Sequence, residues 1–594
     1  MQHVLATCSS IPMVERNNEE LMSYLKKASE LCALASLPLD SSLRNVPIER
    51  VIARLNIERG LVEGRQLPFS RRPDLLAIVL VERAPDEALA QSIRAIALQS
   101  HPGVRCVIMR AVSTVDLAVL QQFVDSVDPR PMALNIWAMF ESRQRAELEQ
   151  ANFVTFLRHG DRLHPSATAW LAIERAAGRQ VEVMAWGELQ PDGAGGAAWA
   201  QRNPSLHRIS LLHFPYLRNA FAVSGPLAAT YPGDLVRETL HNHLHLFQIW
   251  LSQRDGVRWS SHPEFFLIRA DALVSERPEG AARRAYAEYS SAYAALLGSS
   301  SDQFIFLAAP RDAAAPYRLR PRPVPSTLSV IIPFRDKPEL TARAVHSIAN
   351  QEFPGSIEIL LINNQSSDGA LTAIRTELSG LPTGIHRRIV DYDAPFNHSA
   401  QCMLGAKDSR GEILLFMNND AELLTAGALT ELAAWAARSD VASVGVTIEE
   451  PQTHKLAAGM EARLAPMPYF DSIVEERSDP AFTPYVRQAF GNTFAFAAVS
   501  RAAFEAVGGL DVLRFPNGYN DVDFACRARR RGYMHITLGH LQVRHAPGQS
   551  RGRTDEAVQK TLLRTLYPEC AAAALTALRF DDTLGAMRAR REGK

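Results

Sequence analysis

GEILLFMNNDAE, residues 411–422, is the stretch whose reading decides the rest of the chain. Its apolar run, Ile413 to Met417, is short enough to be one buried strand. A strand buried on both faces belongs to a mostly parallel sheet covered by helices. The run stops abruptly at Asn418, Asn419, Asp420 and Glu422. In such sheets ligands bind just beyond the carboxyl ends of the strands, and hard oxygen donors placed there suit Mg2+ or Mn2+. A polar strand-to-helix turn that holds no metal accounts for this stretch, taken alone, equally well.

The 594-residue chain is too long for one core. With 47% hydrophobic and 22% charged residues it has the composition of ordinary globular protein. Acidic and basic residues balance at 64 each, which gives no electrostatic footprint for nucleic acid. The cysteines at 8, 32, 106, 402, 526 and 570 show neither CxxC nor zinc spacing, so free thiols in a reducing compartment are expected. No apolar run is long enough to span a bilayer. Leu5-Ala6-Thr7-Cys8 imitates a lipobox but lacks the positive start and apolar region of a signal peptide. The expectation is a cytoplasmic protein without a transmembrane segment.

Residues 1–72 read as a helical extension, with Asn17 and Asn18 able to cap and Leu21, Leu25, Ala28 and Cys32 at helical spacing. From Leu75 the pattern becomes strand (Leu75–Val81), helix (Glu87–Leu98), Gln99-Ser100-His101-Pro102-Gly103, strand (Arg105–Met109). The same order returns as Ser329–Phe334, Glu339–Asn350, Gln351-Glu352-Phe353-Pro354-Gly355 and Ile357–Ile362. Self-similarity of this length marks a duplicated unit. A second echo aligns Phe153–Leu163 with Ile413–Leu423, setting Arg158 against Asn418 and Gly160 against Asp420. An arginine cannot ligate a cation and a glycine has no side chain, so the first copy is expected to be inactive. The predicted organisation is 1–72, a degenerate copy over 73–312, a proline-rich linker over 313–325, an active copy over 326–553 and a helical tail over 554–594 with a basic end.

In the second copy, four strand-end loops carry amides and acids: Val330-Ile331-Ile332-Pro333-Phe334-Arg335-Asp336, Ile362-Asn363-Asn364-Gln365-Ser366-Ser367-Asp368-Gly369, Pro395-Phe396-Asn397-His398-Ser399 and Asn418-Asn419-Asp420. GGLD (508–511), NDVDFACRARRRGY (520–533) and His545 follow. In order and spacing this set resembles the family 2 glycosyltransferases of the GT-A fold, over about Pro325 to Gly552. The FNHS and MNND versions resemble a branch concerned with bacterial surface polysaccharides. The resemblance implies two tandem GT-A domains (α/β, Rossmann-like, mostly parallel sheet) with helical N- and C-terminal extensions.

It also implies roles. Asp420, with Asn418 and His545, would hold a divalent cation, Mg2+ or Mn2+, that neutralises a departing diphosphate. Pro333, Arg335, Asp336, Asn363, Asn397 and Asn419 would line the nucleotide-sugar site. Asp521 would be the general base of an inverting transfer to a hydroxyl acceptor, with Asp523 as its understudy. Without the resemblance, Asp521 and Asp523 read as first-turn acids facing a helix dipole, His545 as a surface histidine and Asp368 as a helix cap.

Departures from the pattern are Asn363 for an aspartate, Gln365 for a glycine, Asn418 for the first metal acid and Asn520 for a glutamate. Each acid-to-amide change keeps hydrogen bonding and lowers negative charge. In the first copy, His241 to Trp250 stands where NDVDFACRARRRGY should be and contains no acid. Its alternating histidines do not share a helix face, so a core or interface role is expected rather than zinc.

The expected activity is hexosyl or deoxyhexosyl transfer from a UDP-, dTDP- or GDP-sugar to a cell-surface glycan such as O-antigen, or to its lipid-linked precursor. Peripheral association with the inner face of the cytoplasmic membrane and homo-oligomerisation are compatible with that reading. The competing expectation is a non-catalytic glycan- or partner-binding scaffold made of two degenerate copies. A processive synthase is disfavoured, because the chain has no QxxRW motif.

Overall fold

The computed structural model describes residues 75–567 apart from 100–102, 128–132, 138–141, 165–166, 169–170, 172–179, 192–196, 203–206, 237–238, 240–243, 270–289, 298–302, 309–316, 324–325, 465–471, 477–484 and 546–555, together with 579–580. The expected N-terminal helices, His241 and His243, and the alanine-rich and basic parts of the tail lie outside the described residues.

The first unit runs β1 (Leu75–Val81), α1 (Glu87–Ala97), β2 (Val104–Arg110), α2 (Leu117–Ser126), β3 (Ala133–Trp137), α3 (Ser142–Gln150) and β4 (Phe153–Arg158). It continues with β5 (Arg162–Leu163), β6 (Val183–Pro191), β7 (Ala197–Arg202), β8 (Phe221–Val223), α4 (His245–Ser252) and β9 (Trp259–Ile268). Its boundaries follow local chemistry. The Asp86 carboxylate caps α1 by accepting from the Leu89 amide, and every residue of β1 is buried. A ribbon, β10 (Phe304–Ala308) and β11 (Tyr317–Pro321), comes next. Part of the stretch expected as a linker is therefore a paired strand: Leu319 and Phe304 are buried in the shared core, which a free linker would not supply.

The second unit begins β12 (Thr327–Phe334), α5 (Pro338–Ala349), β13 (Ser356–Asn363), α6 (Asp368–Ser379), β14 (Ile385–Asp391), α7 (His398–Asp408), β15 (Ile413–Met417) and β16 (Ala421–Leu423). Then come α8 (Ala428–Ala436), β17 (Val441–Glu449), β18 (Leu456–Ala458), β19 (Met460–Leu464), β20 (Ser472–Glu476), β21 (Val486–Ala489) and β22 (Phe496–Ser500). The unit closes with α9 (Arg501–Val507), α10 (Asn520–Arg530) and β23 (Met534–His545), and α11 (Glu556–Leu566) follows.

The duplication holds over eight strands of each sheet. The first sheet contains the order β6-β8-β4-β1-β2-β3 with β9 beside β6 and β5 beside β9. The second contains β17-β22-β15-β12-β13-β14 with β23 beside β17 and β16 beside β23. Within each, the first four strands pair in parallel, and the next, β8 or β22, is antiparallel. Two tandem mixed α/β domains, parallel where the site lies, are what the resemblance implies. From β12 the chain steps outward to β13 and β14, then returns to lay β15 on the other side of β12. That reversal makes a topological switch point beyond the ends of β12 and β15, the usual place for a ligand.

The units share a core. Ile209, Leu246, Ile249 and Tyr293 of the first pack in one apolar cluster with Leu432, Trp435 and Val486 of the second. Gln488 clasps the turn of helix Arg208–Leu211, accepting from the Ile209 amide (3.0 Å) while its own N–H donates to Ser210 Oγ (3.0 Å). Phe214 stacks on Tyr485 at 4.8 Å between ring centroids. From the tail, Arg579–Phe580 pairs with β7 of the first unit.

Candidate active site

β15 ends at Met417, and the turn into β16 aims its polar residues alternately. Asp420 is buried, and His545 at the end of β23 meets it because β16 pairs with β23, Ala421 opposite His545. His545 Nε2 lies 3.2 Å from Asp420 Oδ1 and accepts from Asn418 Nδ2 at 3.2 Å. The Asp420–His545 contact is within ion-pair range, yet Asp420 Oδ1 has no hydrogen-bond donor in this buried spot. The carboxylate oxygen, the ring nitrogen and the Asn418 amide thus converge where a shared positive charge would satisfy the unpaired oxygen. The donors fit a divalent cation that keeps substrate oxygens and water as its other ligands. Among the described residues no group of three or more His, Cys, Asp or Glu is placed to hold a metal ion.

Asp521 lies in the first turn of α10, partly buried, with Oδ1 accepting from the Val522 amide (2.9 Å) and Oδ2 from the Phe494 amide (3.4 Å). The next residue of that loop, Ala495, takes the Asn418 amide on its carbonyl at 2.9 Å. Asp521 and the Asn418–Asp420 turn therefore hang from adjacent residues, Phe494 and Ala495, before β22. Asp523 is committed elsewhere. It is fully buried, its Oδ2 receives Arg527 at 2.6 and 2.9 Å, and its Oδ1 takes the Tyr567 hydroxyl.

Around this centre the FNHS segment holds the loop that carries Asp521. Asn397 caps α7 through Oδ1 to the Ala400 amide (2.9 Å), and its Nδ2 donates to the Val512 carbonyl (3.0 Å). Ser399 Oγ donates to the Phe515 carbonyl and receives Asn520 Nδ2 at 2.9 Å. Asn520 also reaches His398 Nδ1 at 3.3 Å. These contacts explain an amide at position 520: a glutamate could not donate to Ser399. Both ends of the Asn397 amide are likewise spent on the scaffold. Asn419 turns inward, 4% exposed, and donates to Thr341 Oγ1 of α5 at 3.3 Å.

The remaining nucleotide candidates stand at the ends of β12 and β13. Pro333 is buried in β12, while Arg335 and Asp336 are open to solvent. Asp336 accepts from the Ser367 amide (2.9 Å) and hydroxyl (3.0 Å), which hold its carboxyl below the ordinary value. Asn363 is buried between the Ser366 amide and Asp391. Ser367, not Asp368, is the N-cap of α6; Asp368 is its first helical residue. Asp336, Lys337, Gln365 and Tyr519 all take left-handed φ values, between 48° and 58°. Such values are uncommon outside glycine and gather where function constrains the backbone. Gln365 thus keeps the backbone that the family's glycine would adopt. Asp391 was not singled out from sequence, although the acid in DYDAP at a strand end was a visible signal.

In the first unit the matching positions are filled by protein cations. Arg158 makes a bidentate pair with Glu82 at 2.8 and 2.9 Å. By the β5–β9 register Arg269 occupies the place of His545, buried against Glu188 (2.7 Å) and Asp161 (3.1 Å). Two guanidiniums stand where the second unit has Asn418 and His545, leaving no vacancy for a metal ion. His245 is buried in α4 against the Leu211 carbonyl, with burial pushing its pKa down to about 4. This neutral, fully buried ring agrees with the core role, one of the two expected.

A carboxylate–imidazole pair at the end of a parallel α/β sheet is what the resemblance to the GT-A glycosyltransferases implies. Residues 329–508 match the family described as "Glycosyl transferase family 2". The match ends before Asp521 and His545. An O-antigen biosynthesis protein RfbC from Myxococcus xanthus is 27% identical over 412 residues, which is 68% of this chain and 31% of that protein. A protein y4gI of unstated activity from Sinorhizobium fredii is 28% identical over 242 residues, 40% of this chain and 26% of that one. The aligned parts thus span less than a third of each relative. Among solved structures, GalNAc-T7 with UDP, GalNAc and Mn2+ aligns over 45% of this chain and 55% of its own, with 14% identity and a TM-score of 0.34. A Pyrobaculum calidifontis mannosyltransferase with GDP-Man and Mn2+ aligns over 52% and 90%, with 16% identity and a TM-score of 0.30. Among the described residues no helix is long and apolar enough to cross a membrane.

Proposed function

We propose that the second unit is an inverting, metal-dependent glycosyltransferase and the first its scaffold. It moves a sugar from a nucleotide-diphosphate donor to a hydroxyl of a bacterial cell-surface glycan or of its lipid-linked precursor. The observation that carries this reading is the buried, unsatisfied Asp420 Oδ1 facing His545, with Asp521 anchored on the neighbouring peptide. Asp420, His545 and Asn418 would hold Mg2+ or Mn2+, which when bound supplies positive charge to the leaving diphosphate.

The chain's own groups do the rest. Arg335 and Asp336 flank the donor at the end of β12. The Asp521 carboxylate accepts the proton of the acceptor hydroxyl as that oxygen attacks the anomeric carbon from the side opposite the diphosphate, so configuration inverts. Asn397, His398 and Ser399 keep the 512–520 loop in register with the donor. Exposed Phe396 and Leu513 lie beside that loop and offer apolar contact to a lipid-linked acceptor.

The test is turnover of UDP-, dTDP- and GDP-sugars with Mn2+ and after chelation. Chelation is expected to abolish turnover, Asp420→Ala to cost at least a hundredfold, and Asp521→Asn to remove transfer while donor binding persists. A protein that binds no nucleotide sugar would instead be the glycan- or partner-binding scaffold.

A further inference from the structure

The loop after β13 lacks the aspartate expected at 363, yet a carboxylate stands directly beside that position. In the β13–β14 register Asn363 lies opposite Asp391. Asn363 Nδ2 donates to Asp391 Oδ1 at 2.8 Å, while Asn363 Oδ1 accepts from the Ser366 amide at 3.0 Å. One neighbour can only accept and the other can only donate, so the amide's orientation is determined at both ends. At 4% exposure the side chain is packed in place. Asp391 is exposed, and among the described residues its second oxygen takes no hydrogen bond.

We infer that Asn363 and Asp391 together form the base-reading edge of the nucleotide pocket, with Asp391 supplying the acceptor that position 363 has lost. This rests on reading the second unit as a nucleotide-sugar transferase. The pair offers one remaining amide hydrogen beside one free carboxylate oxygen. That donor–acceptor order complements a base edge with a carbonyl next to a ring N–H, as in uracil, thymine and guanine. Held in the same orientation by the ribose, cytosine and adenine present the reverse order, an exocyclic amine beside a bare ring nitrogen, and would turn a lone pair toward the carboxylate.

Placement agrees. The strand order β14-β13-β12-β15 sets Asp391 at one end of the strand tips and Asp420 beyond the other. Three interstrand spacings amount to about 14 Å, a span on the scale of an extended nucleoside diphosphate. Arg335 and Asp336 stand between, at the end of β12.

The experiment measures calorimetric binding of UDP, GDP, CDP and ADP, each with Mn2+, to the full chain and to Asp391→Asn. The wild-type chain is expected to bind UDP or GDP roughly tenfold or more tighter than CDP and ADP. In Asp391→Asn the new Oδ1 can take the Asn363 hydrogen and its Nδ2 face the base, so the preference should vanish or turn toward CDP. Thermal unfolding of the variant near the wild-type midpoint shows that the fold is kept. Equal binding of all four diphosphates by the wild type, or an unchanged preference in the variant, overturns the inference while the transferase reading stands. Absence of binding by every diphosphate overturns both.

Discussion

At the scale of single residues, two acids two positions apart in the chain stand in opposite surroundings. Asp521 and Asp523 share the first turn of α10, and without the family resemblance their sequence context does not separate them. Burial does. Asp523 has no exposed surface and balances Arg527, whereas Asp521 accepts two backbone N–H groups and remains partly open. Removing one member of a buried ion pair strands the other charge, at about 3–5 kcal/mol. Asp523→Asn should therefore lower unfolding stability by about 3 kcal/mol in urea titrations. Asp521→Asn, which keeps an acceptor oxygen for Phe494, should stay within about 1 kcal/mol of wild type while losing transfer. The opposite pattern would make Asp523 the functional acid.

Among the elements, α7 does the positioning. It begins at the Asn397 cap and lies on β12 through Gly405. A Cβ added there would come within 2.4 Å of Ile331 Cγ2 and 3.3 Å of Ile362 Cδ1, closer than packed atoms allow. Glycine inside a helix is unfavourable by about 1 kcal/mol relative to alanine, so here close helix–sheet approach outweighs helix propensity. Gly405→Val should destabilise by about 2–3 kcal/mol through overpacking. By displacing Asn397 and Ser399 from Val512 and Phe515, it should also weaken transfer beyond its effect on stability. Activity measured on the folded fraction checks this; full activity per folded molecule would show that α7 does not position the Asp521 loop.

Over the whole molecule, buried histidines lie within the packed core. His213 donates or accepts at the Ile209 and Leu319 main chain, and burial pushes its pKa down to about 4; His245 is likewise held near 4 by burial. Both bind protons more weakly when folded than when unfolded, where the ordinary value is 6.5. Their stabilising effect is thus complete above pH 6.5 and drains away as pH falls toward 4. At pH 5 the loss is on the order of 2 kcal/mol per histidine. Denaturation at pH 7.5 and pH 5 should show this drop, and His213→Gln should reduce it. Arg318, which faces Glu431 and His540 beside His213, adds to the cost of charging that ring. A pH-independent midpoint over this range would mean that the histidines are hydrated in solution.

The sequence by itself determined the duplicated α/β pattern, the strand and helix segments around each copy, and the element ends near which Asp420, Asp521 and His545 stand. It could do so because buried parallel strands are continuous apolar runs, and ligand loops interrupt them with amides and acids. Arg158 could be aligned with Asn418 for the same reason. Only the tertiary structure decided which polar residues face the switch point. Adjacent residues in a turn point in different directions, so Asn419 turned inward to Thr341 while Asp420 faced His545. Arg269 came to the place of His545 through strand register between distant segments, and Asp391 came beside Asn363 in the same way. Pairing across a sheet is not local in the chain, so which side chain stands beside which is determined by the folded sheet.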